Sequence, residues 1–258
     1  MTGQDRPRRG LRAPEIVGLV LIGLGVLFLF DQFRWIRFGW GTFWPLILVG
    51  IGALILYGAA RPRVDGQASV RVPREDSDQL ELDLRLGAGR FSVRGGAAEL
   101  VEAESNGTDI ESSVQRSGRR AHVRIGLNRP WFPVSGAGTP DWRIAVGADV
   151  PTRLDLAAGA GTFELDLSEI RLVDARISLG AAQAHLTLPR PIGEVPIRVS
   201  TGASQLTIAA PPGVELQVRT SGGLLDVSGP AETLGFASAT DRVAVRVEGG
   251  AASVRVVG

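Results

Sequence analysis

Two hydrophobic patterns divide the chain: unbroken apolar runs in the first sixty residues, and strict alternation from about Leu80 onward. The run Glu15–Phe30 is uncharged after its first residue, and Phe43–Ala60 is uncharged throughout. A membrane-spanning helix needs about 20 apolar residues, within a range of about 17–25, and both runs reach that length with their flanks. Between them lies the short connection "DQFRWIRFGWGT". Trp35, Trp40 and Trp44 cluster at this turn and Tyr57 stands near the far end, where amphipathic rings meet headgroups. The pattern predicts a two-span transmembrane hairpin over residues 14–60, entered from a basic tail over 1–13 that holds Arg6, Arg8, Arg9 and Arg12. A cleaved leader is excluded because "DQFRWIRF" offers no small-residue cleavage site and a second apolar run follows at once. No ionisable side chain lies mid-span, which removes the usual sign of an ion or proton pathway.

Residues 61–79, "RPRVDGQASVRVPREDSDQ", read as a polar linker with one early strand around Ala68–Val72. From 80 to 258 the period-two alternation predicts half-buried strands. It recurs as strand, glycine knot, strand: "LELDLRLGAGRFSVRGG", "RLDLAAGAGTFELDL", "ARISLGAAQAHLTLP", "IRVSTGASQLTIAAP", "LQVRTSGGLLDVSGP" and "VAVRVEGGAASVRVVG". The knots begin at Gly87, Gly159, Gly180, Gly202, Gly222 and Gly249, with Gly89 and Gly161 two residues into the first two. From Gly159 to Gly222 the steps are 21, 22 and 20 residues, a period that means stacked units. The expected fold is an all-β, mostly parallel β-solenoid, similar to a single-stranded β-helix, of short strands joined by glycine-rich corners. At such corners glycine supplies a positive φ or a close backbone approach.

The knots are not phosphate cradles. A P-loop needs a lysine and a following helix, yet this chain has no lysine and another strand follows each knot. A dinucleotide fingerprint also lies between strand and helix. With no cysteine, thiolate metal sites and cysteine nucleophiles are excluded, and no cofactor or metal is expected. The only histidines, His122 and His185, sit singly in alternating strands. Asp155, Glu164, Asp166 and Asp174 alternate with apolar residues, as the solvated side of a half-buried sheet does. A carboxylate pair for glycoside cleavage, as in some β-helix enzymes, is the rival reading of those acids. A net charge of +1 argues against a nucleic-acid partner.

Residues 99–147 are less regular. "LVEAESNG", "IESSVQRSG" and "RRAHVRIGL" read as successive strands of an antiparallel portion, followed by the proline-rich loop "NRPWFPVSGAGTPDW". That loop carries Trp131, Phe132 and Trp142, which either bind a partner or cap the end of the core.

The segments "GLVLIGLGVLFLFDQF" and "FGWGTFWPLILVGIGALIL" resemble the paired-helix region of LiaF-like and LiaI-like bacterial membrane proteins. From about Leu80 onward, "LGAGRFSVRGG", "DWRIAVGADVPTRLDLAAGAGTFELDLSEI" and "LGAAQAHLTLP" resemble the toastrack β-domain that accompanies it. The resemblance implies a non-enzymatic, membrane-anchored adaptor or regulator in cell-envelope stress signalling. Its implied partners are the lipid bilayer and other membrane or signalling proteins, a sensor kinase among them, with self-association open. No catalytic residue of the family carries over. Some relatives have four spans where this chain has two. The arginines add a topology: Arg61, Arg63, Arg71 and Arg74 follow the second span, while the turn holds only Arg34 and Arg37 beside Asp31. Arginine excess marks the cytoplasmic side, so both termini and the β-domain are expected in the cytoplasm, at the inner membrane. A membrane-tethered glycan-binding or glycan-cleaving β-helix, the rival function, would need the domain outside.

Overall fold

The computed structural model describes residues 67–106, 110–127 and 140–258. The predicted hairpin, with Trp35, Trp40, Trp44 and Tyr57, and the loop residues Trp131 and Phe132 lie outside them. The described residues form one twelve-stranded sheet and no helix. Its strands are β1 (Gln67–Val72), β2 (Gln79–Leu86), β3 (Gly89–Gly95), β4 (Val101–Asn106), β5 (Ile110–Ser117) and β6 (Arg120–Leu127). They continue with β7 (Asp141–Val146), β8 (Thr152–Asp166), β9 (Leu172–Thr187), β10 (Glu194–Ala209), β11 (Glu215–Ser228) and β12 (Arg242–Val257). The main path runs β1-β4-β7-β3-β8-β9-β10-β12-β11, with β2 joining β8 and β6, and β5 closing on β6. Pairing is parallel from β3 to β11 and between β2 and its neighbours; β1–β4, β4–β7 and β5–β6 are antiparallel.

Strands β1 to β7 are short, as expected, but β8 to β12 run to 14–16 residues, and this forces a bend. At about 3.3 Å per residue a straight strand like the 16-residue β9 would extend roughly 53 Å. The connectors 167–171, 188–193 and 210–214 reach only about 20–25 Å fully stretched. Since β9 begins beside the start of β8, pairing Leu172 with Thr152, the end of β8 must return close to its own start. Each long strand therefore doubles back at its middle, and its two halves become two walls around one core.

Burial confirms the two walls. Leu154 and Leu156 are buried before the knot of β8, and Phe163 and Leu165 after it, an odd separation that a straight strand would not allow. The same slip occurs in β9, between Leu179 and Ala182, and in β12, between Val247 and Ala252. All these apolar residues except Ala252 join a single hydrophobic cluster. The slip occurs at one residue per strand. Pairing runs from Ala158↔Leu179 to Ala160↔Ala181 and skips the glycines between them. It skips one position likewise between β9 and β10, β10 and β12, and β11 and β12. An unpaired residue that re-aims the chain has the effect of a β-bulge.

Those skipped residues form a column of glycines across the sheet: Gly87, Gly159, Gly180, Gly202, Gly250 and Gly223. A Cβ on Gly180 would lie 2.4 Å from the carbonyl oxygen of Gly159, and one on Gly202 would lie 3.0 Å from that of Gly180. The equivalent approaches are 3.1 Å at Gly159, 3.2 Å at Gly250 and 2.8 Å at Gly223. The Gly159 N–H donates to the Gly87 carbonyl at 2.9 Å. Backbone thus packs on backbone, and the space a side chain would need does not exist. Neither Gly180 nor Gly202 has a positive φ, so close approach, not the left-handed region, demands glycine there. Positive φ belongs instead to Gly161 (147°) and Gly222 (150°), whose Cβ atoms would fall 1.9 Å from a neighbouring carbonyl oxygen. Gly222 and Gly249, expected as the corners of their repeats, stand one residue before the column, whose members there are Gly223 and Gly250.

The early strand expected around Ala68–Val72 is β1, which pairs along its whole length with β4 and buries Val72. One further expectation changes. Of the three successive strands expected after Glu99, β5 and β6 form an antiparallel hairpin, whereas β4 leaves them to pair with β1 and β7.

Close approach makes a graded prediction. Gly180→Ala should destabilise the β-domain by about 1–3 kcal/mol, because backbone cannot yield as a side chain does. Gly250→Ala, whose neighbour is at 3.2 Å, should cost less than Gly180→Ala. Thermal melts followed by β-sheet circular dichroism test the order, and equal midpoints for the two variants would refute it.

Candidate interaction surface

Of the three aromatic residues expected on the loop, Trp131 and Phe132 lie outside the described residues and Trp142 lies within them. Trp142 is not on a loop: it lies in β7, wholly buried. Its register partner Phe91 stacks on Phe163 at 5.0 Å between ring centroids, and Trp142 sits 6.4 Å from Phe91. Three aromatic rings on the adjacent strands β7, β3 and β8 thus fill the core of one wall, the capping role rather than the binding one. The alternation in "DWRIAV" contained this signal, since Trp142, Ile144 and Val146 share one parity and all three are buried.

The acids sit among arginines: Asp155 and Asp174 line one groove of 270 Å³ with Glu81, Asp83, His122, Arg153 and Arg176. Asp83 pairs with Arg124 at 3.0 Å and with Arg85 at 2.6 Å, and Arg85 also reaches Asp155 at 3.6 Å. Glu164 and Asp166 are exposed on the other wall. Charges of opposite sign on neighbouring strands are what a solvated sheet face carries. Among the described residues no group of three or more His, Asp or Glu side chains could hold a metal ion. A hollow of 720 Å³ lies against the glycine column between Arg85, Glu111, Arg124 and Leu179. Ser113 and Ser178 line it without a histidine to activate them.

What the structure offers instead is an open sheet edge. β12 inserts between β10 and β11, leaving β11 as the last strand, paired only through β12 along its main course. The segment after β11 folds back over its first half. The Val218 N–H donates to the Ala231 carbonyl at 2.7 Å, and the Thr233 N–H donates to the Leu216 carbonyl at 2.9 Å. Thr233 Oγ1 accepts from the Leu216 N–H at 2.9 Å and donates to the Glu215 carboxylate. Phe236 is buried against this cap beneath the Arg242 guanidinium, which lies 5.2 Å from the ring centre. The cap stops before the corner.

Beyond it, residues 220–228 have no neighbouring strand on their outer side among the described residues. Leu224 is 80% exposed there, and Val227 is exposed as well. After the glycine column the other long strands carry small pairs: Ala160-Gly161, Ala181-Ala182, Ala203-Ser204 and Ala251-Ala252. β11 alone among them carries Leu224-Leu225 in that register. Small residues let the next strand stack; the leucine doublet stands where no strand follows. That doublet was visible in "SGGLLDVSG" and is the sequence signal for this surface.

Comparison with known families places these features. The model described as the N-terminal domain of toast_rack matches residues 61–209, more than half of the chain. The chain belongs to the toast_rack family. Residues 16–56 match the LiaI-LiaF-like transmembrane region, so this toast_rack chain is membrane-anchored. Among solved structures, it is similar to a candidate cell adhesion protein from Clostridium sporogenes. The two share 16% identity and a TM-score of 0.68, over 74% of this chain and 98% of that one, which establishes a common fold. A candidate adhesin from Bacteroides fragilis matches at 8% identity and a TM-score of 0.32, covering 76% and 99% of the two chains. No curated protein matches the sequence.

The core role of Trp142 is testable. Trp142→Ala should destabilise by about 3–5 kcal/mol, as large-to-small changes at buried aromatics do. A surface role predicts no change in the denaturant midpoint, and that outcome would overturn the assignment.

Proposed function

We propose that this toast_rack chain is a non-enzymatic adaptor in bacterial cell-envelope stress signalling that holds a partner protein at the open edge of β11. The transmembrane-region match supports the membrane-associated part of this reading. The family and its adhesin-like structural neighbour are non-enzymatic kinds of protein. The observation that carries the binding role is the bare half of β11, with its exposed Leu224 and Val227. An unpaired strand edge is a template for an extended segment of another chain. Backbone hydrogen bonds supply affinity there, and the exposed leucine and valine supply side-chain selectivity. In this reading the anchor is the two-span hairpin over 14–60, and the arginines before and after it hold both termini in the cytoplasm, facing a sensor kinase or another membrane-bound signalling protein.

A photo-crosslinking amino acid at Leu224 should trap a discrete partner in cells, whereas one at Glu164, on the exposed face of β8, should not. Leu224→Lys should reduce complex formation at least about tenfold while shifting stability by no more than about 0.5 kcal/mol. Equal crosslinking from both positions would sink the edge as the binding surface. Reporter enzymes fused at Gly258 check the side of the membrane. Activity of an exterior-only reporter would overturn the cytoplasmic placement and favour a glycan ligand.

A further inference from the structure

Four residues before each glycine of the column stands a residue on the outer face of the first wall. In strand order these are Asp83, Asp155, Arg176, Arg198, Arg246 and Arg219. The register makes the last four direct neighbours: Arg176 pairs with Arg198, Arg198 with Arg246, and Arg246 with Arg219. With strands about 4.8 Å apart, the four guanidinium-bearing positions form a line roughly 14 Å long. All four are exposed. Like charges directly opposite one another destabilise a sheet, so this row opposes the fold that carries it.

Nearby acids offset the row only in part: Asp155, the register neighbour of Arg176, pairs with Arg85 instead. Asp174 approaches Arg198 at 3.7 Å, and Glu248 lies on the same face two residues beyond Arg246. Glu194 is taken up by Arg242 at 2.6 Å and Glu215 by Thr233. Arg176, Arg219 and Arg246 have no ion-pair or hydrogen-bond partner among the described residues. The flanking positions on the same face are small and polar: Ser178, Ser200 and Ser221. Arg198, Arg219 and Arg246 also line a shallow groove of 350 Å³.

We propose that Arg176, Arg198, Arg246 and Arg219 form a docking surface for the anionic headgroups of the lipid bilayer. The guanidinium fork matches a phosphate oxygen pair, and a row of them on a sheet wall meets an extended anionic surface at several points at once. The bilayer is the anionic surface this domain always has within reach. The matched transmembrane region ends at residue 56 and β1 begins at Gln67, a separation that the intervening chain can stretch to at most about 40 Å. Tethering raises the effective concentration of such a surface, so individually weak contacts suffice. Phe236, the aromatic ring that lines this groove, is buried beneath the Arg242 guanidinium and presents no open face for a nucleic-acid base, and the chain as a whole has a net charge of only +1.

The absence of cysteine supplies a clean probe. The full chain, carrying Ser200→Cys beside the row or Gln205→Cys on the other wall, is reconstituted into nanodiscs of phosphatidylcholine with or without phosphatidylglycerol. Alkylation by a water-soluble maleimide is then timed. Anionic lipid should slow labelling at Ser200→Cys about fivefold or more and leave Gln205→Cys unchanged, and added salt should reverse the effect. Replacing all four arginines with glutamine should abolish the slowing, whereas Arg90, Arg94, Arg143 and Arg255 replaced together, an equal loss of charge, should preserve it. If the quadruple variant melts early, Arg198→Gln with Arg246→Gln should at least halve the slowing. Labelling that ignores lipid charge, or slowing that survives loss of the row, overturns the proposal. Equal protection in phosphatidylcholine discs by added polyphosphate or DNA also overturns it, assigning the row to a soluble polyanion.

Discussion

Backbone-on-backbone contact along the glycine column is the constraint from which the rest of the domain follows. A parallel sheet of consecutive 14- to 16-residue strands with short connectors exists only if each strand doubles back, and it doubles back where neighbouring chains touch carbonyl to Cα. Stacking strands at normal spacing through so sharp a bend leaves no volume for Cβ. Once the bend is set, the slip in alternation brings Leu156 and Phe163 to the same interior despite their odd separation. The core is therefore a product of the corner. A side chain at the corner would push apart the strands whose apolar rows meet inside.

Much of this was legible in the chain, because its two governing signals are local. Period-two alternation located every long strand, and the glycines marked where each one changes direction. Register was harder. The double glycines Gly222-Gly223 and Gly249-Gly250 leave two choices, and only pairing across strands shows that the second of each belongs to the column. The mechanism was less legible still. A glycine that avoids a steric clash and one that adopts a positive φ look alike in sequence, and Gly180 and Gly161 represent the two cases.

Non-local pairing was hidden for a related reason. Nothing in "LVEAESNG" says that β4 bonds to β7 and β1 rather than to the adjacent β5, since all three would satisfy its alternation. The insertion of β12 between β10 and β11 is likewise invisible in repeat spacing, which suits sequential stacking equally well. Yet the consequence of that insertion was written in the chain. Leu224-Leu225 fits badly under a following strand, and β11 is the long strand with none beside its second half. The doublet marks an end of the stack, but alternation and glycine spacing alone did not single it out.

The column also separates what the fold dictates from what it leaves free. Inward positions are bound by packing: Leu, Val, Ile and Phe recur there, and a polar substitute would be stranded in the core. The outward position four residues before each column glycine carries no such demand. Asp83 and Asp155 occupy it in β2 and β8 and arginine occupies it in β9, β10, β12 and β11, all in one register and all compatible with the same backbone. Alternating signs along this row would have relieved repulsion at no cost to packing. The row instead separates its charges, acids at one end and four arginines at the other. Geometry permits that segregation without producing it, and sheet electrostatics oppose it. A compensating interaction outside the sheet resolves the conflict, with negative charge brought to the arginine end by something other than this domain.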